Sequence, residues 1–81
     1  MRIELYKSAL CPRCAYVANI LKKLQAKDKS IHVKTYDLAT NLKAFKEANV
    51  KMIPCIKING EKRSWMLPKE KEIKEFLAKH S

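Results

Sequence analysis

The sequence predicts an α/β fold in which one mixed sheet of four strands carries helices on both faces. Three observations support it. The chain has 81 residues, 47% of them hydrophobic, which fits a single domain over residues 1–81. Segments of period two alternate with segments of helical period. Finally, Asn59-Gly60 is a strong β-hairpin signal late in the chain.

The first half of the chain predicts two strands, each followed by a helix. Residues 2–7 alternate apolar and polar side chains, as a strand does. From 12 to 27 the apolar residues recur at helical spacing, and Pro12 fits a first turn, where no backbone N–H is needed. Residues 31–36 form the second predicted strand, and residues 42–48 form a short helix. Right-handed crossovers would make the two strands parallel.

The second half predicts a hairpin and a final helix. A strand spans 52–58 and is entered through Pro54, because proline can open a strand but is not tolerated inside one. After the Asn-Gly turn, residues 61–66 return antiparallel, and a helix runs from 68 to 79. The predicted order is therefore β-α-β-α-β-β-α.

The composition is strongly basic. Eighteen Lys and Arg residues against eight Asp and Glu give a formal charge of +10. Most of the cations are lysines scattered along the chain, and arginines interleaved with aromatic residues are absent. We interpret the charge as a solvated surface that steers acidic partner proteins, and we expect no nucleic-acid partner.

Localisation and redox state follow from the absence of targeting signals. No apolar run approaches the roughly 20 residues that span a bilayer, and the first ten residues are too polar for a signal peptide. We expect a cytoplasmic monomer without a membrane partner, with thiols kept reduced. An odd count of three cysteines favours a reactive or metal-binding pair plus one extra thiol over a disulfide framework.

The chemistry is predicted at Cys11-Pro12-Arg13-Cys14, where a strand ends and a helix begins. Free N–H groups and the helix dipole at Cys11 favour the thiolate, which is the nucleophile, and Arg13 adds a positive charge. Cys14 lies one turn later and is expected to be less accessible. The pattern predicts that Cys11 attacks a disulfide and that Cys14 resolves the mixed disulfide.

This arrangement resembles the thioredoxin fold, a three-layer α/β fold, and is most similar to glutaredoxins and glutaredoxin-like redoxins. The resemblance rests on the CPRC motif between strand and helix and on Ile53-Pro54 before the hairpin. It implies that Pro54 is cis beside the cysteines and that Ile53 presents its backbone to a bound peptide. It also implies disulfide substrates, no bound cofactor, and recycling by a reductase or a low-molecular-weight thiol.

The glutathione-binding residues of glutaredoxins are only partly matched. Ser8 stands three residues before Cys11, where a basic residue is usual, and Lys7 lies one further back. Segment 62–68 lacks the glycine pair and the acidic pair of that family. Glutathione, another thiol or a flavoprotein reductase therefore remain alternative co-substrates. Lys7 is predicted to flank the site and attract acidic substrates, while Trp65 either lines the substrate groove or packs on the last helix.

Other functions use the same residues. Cys55 is either a small strand residue or a third reactive thiol. With Cys11 and Cys14 it could bind a metal ion, or the pairs of two copies could bridge a cluster. We favour dithiol chemistry and expect no metal ligand.

Overall fold

The helices and strands of the computed structural model, which describes residues 1–81, follow the predicted order. They are β1 (Arg2–Lys7), α1 (Pro12–Lys27), β2 (His32–Asp37), α2 (Leu42–Ala48), β3 (Cys55–Ile58), β4 (Glu61–Ser64) and α3 (Glu70–Lys79).

Several ends differ from the prediction. β2 is shifted by one residue, and β3 starts only after Pro54, which has no N–H to donate. β4 ends at Ser64, and α3 begins two residues later than predicted. The delay in α3 arises because Lys69 is extended at the cap position, with φ −124° and ψ 140°.

The sheet has the strand order β2-β1-β3-β4. β1 runs parallel to β2 and antiparallel to β3, and β3 runs antiparallel to β4, which confirms the mixed sheet. The turn between β3 and β4 places Asn59 and Gly60 at φ 51° and 85°. Left-handed backbone at both positions is what an Asn-Gly hairpin supplies at low cost.

The larger core lies between the sheet and the two longer helices, α1 and α3. Alternate side chains of β1 and β3 point to this face and meet the apolar stripes of both helices. The core comprises Ile3, Leu5, Val17, Ile20, Leu21, Ile31, Ile56, Ile58, Trp65, Ile73, Phe76 and Leu77. None of the three helices combines the length and the apolar character needed to cross a bilayer.

A smaller core lies on the opposite face, under α2. The ring of Tyr6 stacks on Tyr36 at 5.0 Å between centroids and meets Phe45 of α2 edge-on at 5.2 Å. Cys55 completes this cluster. Helices therefore cover both faces, which confirms the predicted α/β architecture with three layers. Because α2 packs on this cluster, the helix covers the part of this sheet face that lies near the carboxyl end of β1.

The register brings several loops to one end of the sheet. Tyr6, near the end of β1, is level with Cys55 at the start of β3, which is level with Ser64 at the end of β4. We call this end of the sheet the cysteine end. The loop that leads to Cys11, the segment before β3 and the segment after β4 all begin or end there.

Candidate active site

Cys11 is the N-cap residue of α1. Its backbone is extended, with φ −110° and ψ 107°, and its Sγ accepts a hydrogen bond of 3.1 Å from the backbone N–H of Cys14. Oxygen-bearing side chains usually satisfy this orphan N–H at a helix start. Pro12 occupies the first helical position, and the N–H of Cys11 donates to the Ser8 carbonyl oxygen at 3.2 Å. The sulfur is thereby fixed at the positive end of the helix.

The environment of Cys11 favours its thiolate. Partial burial pulls the pKa of Cys11 upward, but the Cys14 thiol, the Cys14 N–H and the Arg13 charge outweigh it, so that the pKa lies below that of an ordinary thiol. The residue is only partly buried. Cys11 therefore combines ionisation with access, which are the two properties a nucleophilic cysteine needs.

Cys14 has the opposite environment. Its side chain is 0% exposed, since it lies in the first turn of α1 on the side facing the body of the protein. Burial, followed by the hydrogen bond to the Cys11 sulfur, raises the pKa of Cys14 to about 11. The two thiols thus differ in both access and acidity, and both are free.

Arg13 connects the start of α1 to the segment after β4. Its Nη1 donates to the carbonyl oxygen of Met66 at 3.0 Å, with a longer contact of 3.4 Å to that of Trp65. Its positive charge also helps to lower the pKa of Cys11. The sequence predicted an electrostatic role for Arg13 and did not predict the link to the two carbonyl groups.

Ile53 and Pro54 lie at the cysteine end. The peptide bond between them is cis, as the resemblance implied. Pro54 is buried and Ile53 half-buried, immediately before Cys55, which pairs with Tyr6 near the end of β1. The segment therefore enters the sheet at the same end at which the chain leaves β1 toward Cys11.

A family model for the thioredoxin domain matches residues 1–78. This chain belongs to the thioredoxin-domain family. No curated relative matches its sequence. Solved structures that are similar include Fasciola hepatica thioredoxin, with 16% identity, a TM-score of 0.79 and coverage of 99% of this chain and 80% of that one.

Two further thioredoxins have comparable similarity. Oxidised thioredoxin O2 from Arabidopsis thaliana has 15% identity and a TM-score of 0.76, covering 99% of this chain and 75% of that one. A thioredoxin mutant from Halobacterium salinarum has 17% identity and a TM-score of 0.78, covering 98% and 73%. At these identities the likeness shows the fold. The thioredoxin-domain match is broader than the glutaredoxin branch that the motif resembles.

Two other predicted site residues of this thioredoxin-domain protein, Lys7 and Trp65, contact side chains of other elements. Lys7 lies at the end of β1, and its Nζ is 3.5 Å from a carboxylate oxygen of Asp37. Trp65 is buried, and its ring packs edge-on against Phe76 of α3 at 6.0 Å between centroids. The ring thus packs on the last helix, which was the second of its two predicted roles. Its carbonyl group faces Arg13.

The prediction missed a group of exposed apolar side chains. All of them lie on segments that meet the cysteine end or on the first turns of the helices that start there. They are Leu10, Tyr16, Leu38, Leu42, Met52, Met66 and Leu67. In the sequence, the signal is apolar residues outside the periodic patterns, such as Leu10 and the Met66-Leu67 pair. We call these residues the apolar rim of the cysteine end.

Cys55 lies in a different environment from that of Cys11 and Cys14. It is 1% exposed and packs with Tyr6 and Phe45 under α2. No group of three or more His, Cys, Asp or Glu side chains in the protein is arranged to hold a metal ion. The three cysteines of one chain therefore do not form the three-ligand metal site considered from the sequence.

Proposed function

We propose that this protein is a thiol–disulfide oxidoreductase, a glutaredoxin-like redoxin that reduces protein or small-molecule disulfides in the cytoplasm. The observation that carries the proposal is the asymmetry of the two thiols. Cys11 is accessible and has a lowered pKa, whereas Cys14 is buried and has a pKa raised to about 11. This difference supports Cys11 as the nucleophile and Cys14 as the resolving thiol.

In the first step, the Cys11 thiolate attacks one sulfur of the substrate disulfide. The bond from Cys11 to that sulfur forms as the substrate S–S bond breaks, and the other substrate sulfur departs as a thiolate that takes a proton from water. The product is a mixed disulfide. The N–H of Cys14 and the Arg13 charge hold the nucleophile ready without a separate base.

In the second step, Cys14 gives its proton to water and attacks the Cys11 sulfur as a thiolate. The mixed disulfide breaks, the second substrate thiolate leaves, and a Cys11–Cys14 disulfide remains, so that two electrons have passed to the substrate. Two of the causes that raise the pKa of Cys14 are the hydrogen bond and the charge of Cys11. Both causes are lost once Cys11 is in the mixed disulfide, which makes Cys14 more acidic when it must react.

The apolar rim supports protein substrates. Leu10, Met66 and Leu67 are 92%, 68% and 74% exposed, respectively, and all lie on loops at the cysteine end. Exposed apolar side chains concentrated in one place are characteristic of protein-binding surfaces. In the proposal, the backbone of Ile53 pairs with an extended substrate segment. Recycling uses a flavoprotein reductase, glutathione or another low-molecular-weight thiol that returns two electrons to the disulfide, and the protein acts as a monomer without a bound cofactor.

Insulin reduction with a dithiol as electron source tests the proposal. We expect Cys11→Ser to abolish turnover. Cys14→Ser should retain the first step and, in a parallel incubation of the reduced variant with insulin but without the dithiol, trap a mixed disulfide that intact-protein mass spectrometry detects. Cys55→Ser is the matched control and should reduce insulin per folded molecule like the wild type. Full activity in the Cys11→Ser variant would disprove the assignment.

A further inference from the structure

The outer edge of β2 carries backbone groups with no strand beside them. β2 is at one end of the strand order and pairs only with β1. The amides of His32, at the start of β2, and Leu38, just after its end, both donate toward β1 at 2.8 Å. Because alternate residues of a parallel strand bond the same neighbour, the even-numbered residues between them also face β1. The N–H and C=O groups of Val33 and Thr35 therefore point outward.

The opposite edge of the sheet is less available. β4 has four residues, against six in β2. Lys62 Nζ donates to the carbonyl oxygen of Asn49 at 2.7 Å, and Ser64 Oγ donates to that of Met52 at 3.0 Å. Both contacts tie β4 to the segment between α2 and β3. β2 is thus the longer of the two edges.

Two cavities flank β2, one on each face of the sheet. On the α1 side, a cavity of about 220 Å³ includes the apolar residues Leu5, Ala18, Leu21 and Val33 in its lining. On the other side of the sheet, α2 leaves the region near the start of β1 open. A cavity of about 430 Å³ lies there, lined by Arg2, Ile3, Glu4, His32, Val33, Lys34 and Tyr36. Lys22, Gln25 and Thr35 complete the lining on the α1 side, so this side carries one charged residue and the other side carries three.

The charges beside this edge are mostly positive. Arg2 and Lys34 line the open side, with Glu4 as the one carboxylate there. Beyond the start of β2, a third cavity of about 360 Å³ is lined by Lys22 and Lys29, among others. A second copy of the chain would bring another net charge of +10 to the same place. Electrostatic repulsion disfavours a copy, and charge complementarity favours an acidic occupant.

We propose that the outer edge of β2 binds an extended acidic segment of another protein, which adds to the sheet as a fifth strand. The backbone of the segment pairs with Val33 and Thr35. Since side chains of a strand alternate between faces, apolar residues of the segment lie over Ala18 on the α1 side, and acidic residues lie beside Lys34 on the other.

Lys34, the one lysine on β2, also bears on which strands the edge can pair with. Charged side chains, lysine above all, protect exposed sheet edges from association with other strands. This protection works against neutral and basic strands and fails against acidic ones. In the proposal, Lys34 therefore disfavours most strands and favours an acidic one. The proposal is independent of the redox function.

Titration of the isotopically labelled protein with a six-residue peptide of alternating valine and glutamate, followed by NMR, tests the proposal. We expect amide shift changes concentrated at residues 32–37, slower hydrogen exchange at Val33 and Thr35, and weaker binding as salt is added. A peptide with lysine in place of glutamate should not bind. Equal binding of the lysine peptide, shifts confined to the cysteine end, or no shifts at low salt would overturn the proposal.

Three variants separate charge from backbone pairing. Lys34→Glu should weaken peptide binding about tenfold. Thr35→Pro removes one outward N–H and leaves the bonds to β1 in place, and it should weaken binding about fivefold. Lys62→Glu makes the same charge change on β4 and should bind like the wild type. If Thr35→Pro fails to fold, the comparison of the two charge variants decides, and equal weakening in both would contradict the proposal.

Discussion

The guanidinium group of Arg13 and the carbonyl oxygen of Met66 are joined by a hydrogen bond of 3.0 Å. The bond connects the first turn of α1 to the segment after β4, which lies 53 residues further along the chain. The same positive charge helps to lower the pKa of Cys11. Arg13 therefore acts on the nucleophile and on the apolar rim at once.

Replacing Arg13 separates these two effects. Arg13→Ala should raise the pKa of Cys11 and slow its alkylation at neutral pH by about threefold, since one partly solvated charge is removed. Arg13→Lys keeps the positive charge, so the pKa of Cys11 should stay close to its wild-type value, while the bond to Met66 should be lost. The ultraviolet absorbance of the thiolate, followed against pH, measures the effect. Arg63→Ala removes an arginine on β4 that packs over Phe76, and it should leave the pKa of Cys11 unchanged.

The raised pKa of Cys14 predicts a loss of stability in alkaline solution. A thiol that ionises less readily in the folded state stabilises the fold below its unfolded pKa, and this contribution is lost as pH rises through the folded value. For Cys14 the window runs from about 9 to about 11. Urea denaturation of the reduced protein should show a decrease on the order of 2 kcal/mol across this window.

The control for this pH effect is Cys14→Ala, which lacks the buried thiol. Other groups, including Tyr6 with its pKa raised to about 12 by burial, remain in both proteins. The difference between wild type and variant therefore reports the Cys14 thiol together with its effect on the ionisation of Cys11. Parallel pH profiles for the two proteins would show that Cys14 is not protonated in the way the structure indicates.

Cys55 should matter for stability and not for catalysis. It is buried between Tyr6 and Phe45, so Cys55→Ser places a hydroxyl group in an apolar cluster and should cost about 1–3 kcal/mol in the free energy of unfolding. Cys55→Ala should cost about 1 kcal/mol through the lost contacts. Denaturation curves give both values. Insulin turnover per folded molecule should stay unchanged, and its loss in Cys55→Ala would assign this thiol a chemical role.

Leu67 should distinguish protein substrates from small ones. Its side chain is 74% exposed on the rim, so Leu67→Ser should hardly affect folding. Loss of its apolar contact should raise KM for insulin about fivefold and leave the reduction of a small aromatic disulfide unchanged. Leu67→Met restores an apolar side chain and should restore KM. An equal effect on both substrates would mean that Leu67 acts on the cysteine pair itself.

The regular elements could be predicted because the sequence shows their periods directly. Alternation in β1, the helical stripe of α1 and the Asn59-Gly60 turn each depend on local residues. The position of Cys11 as a helix cap follows from the same local physics. Predicting the bond from Arg13 to Met66 requires knowing where the segment after β4 lies, which depends on the whole sheet. Packing of Trp65 on the last helix was one of its two predicted roles, but the choice between them depends on packing between distant segments.

The outward edge of β2 shows a further limit. Period two assigns side chains to faces, and it does not say which strand lies at the edge of the sheet. The strand order β2-β1-β3-β4 decides that, and with it which backbone groups stay free. The placement of α2 over Tyr6 leaves the sheet near Arg2, at the start of β1, uncovered. This placement also follows from the three-dimensional packing alone.

The rate of iodoacetamide alkylation of the reduced wild-type protein as a function of pH, with the modified residue identified by mass spectrometry, tests the central claim most directly. The structure predicts that Cys11 reacts first and that its rate follows a pKa below that of an ordinary thiol. Prior reaction at Cys14 or Cys55, or a Cys11 rate that rises only at or above the ordinary thiol pKa, would contradict the account.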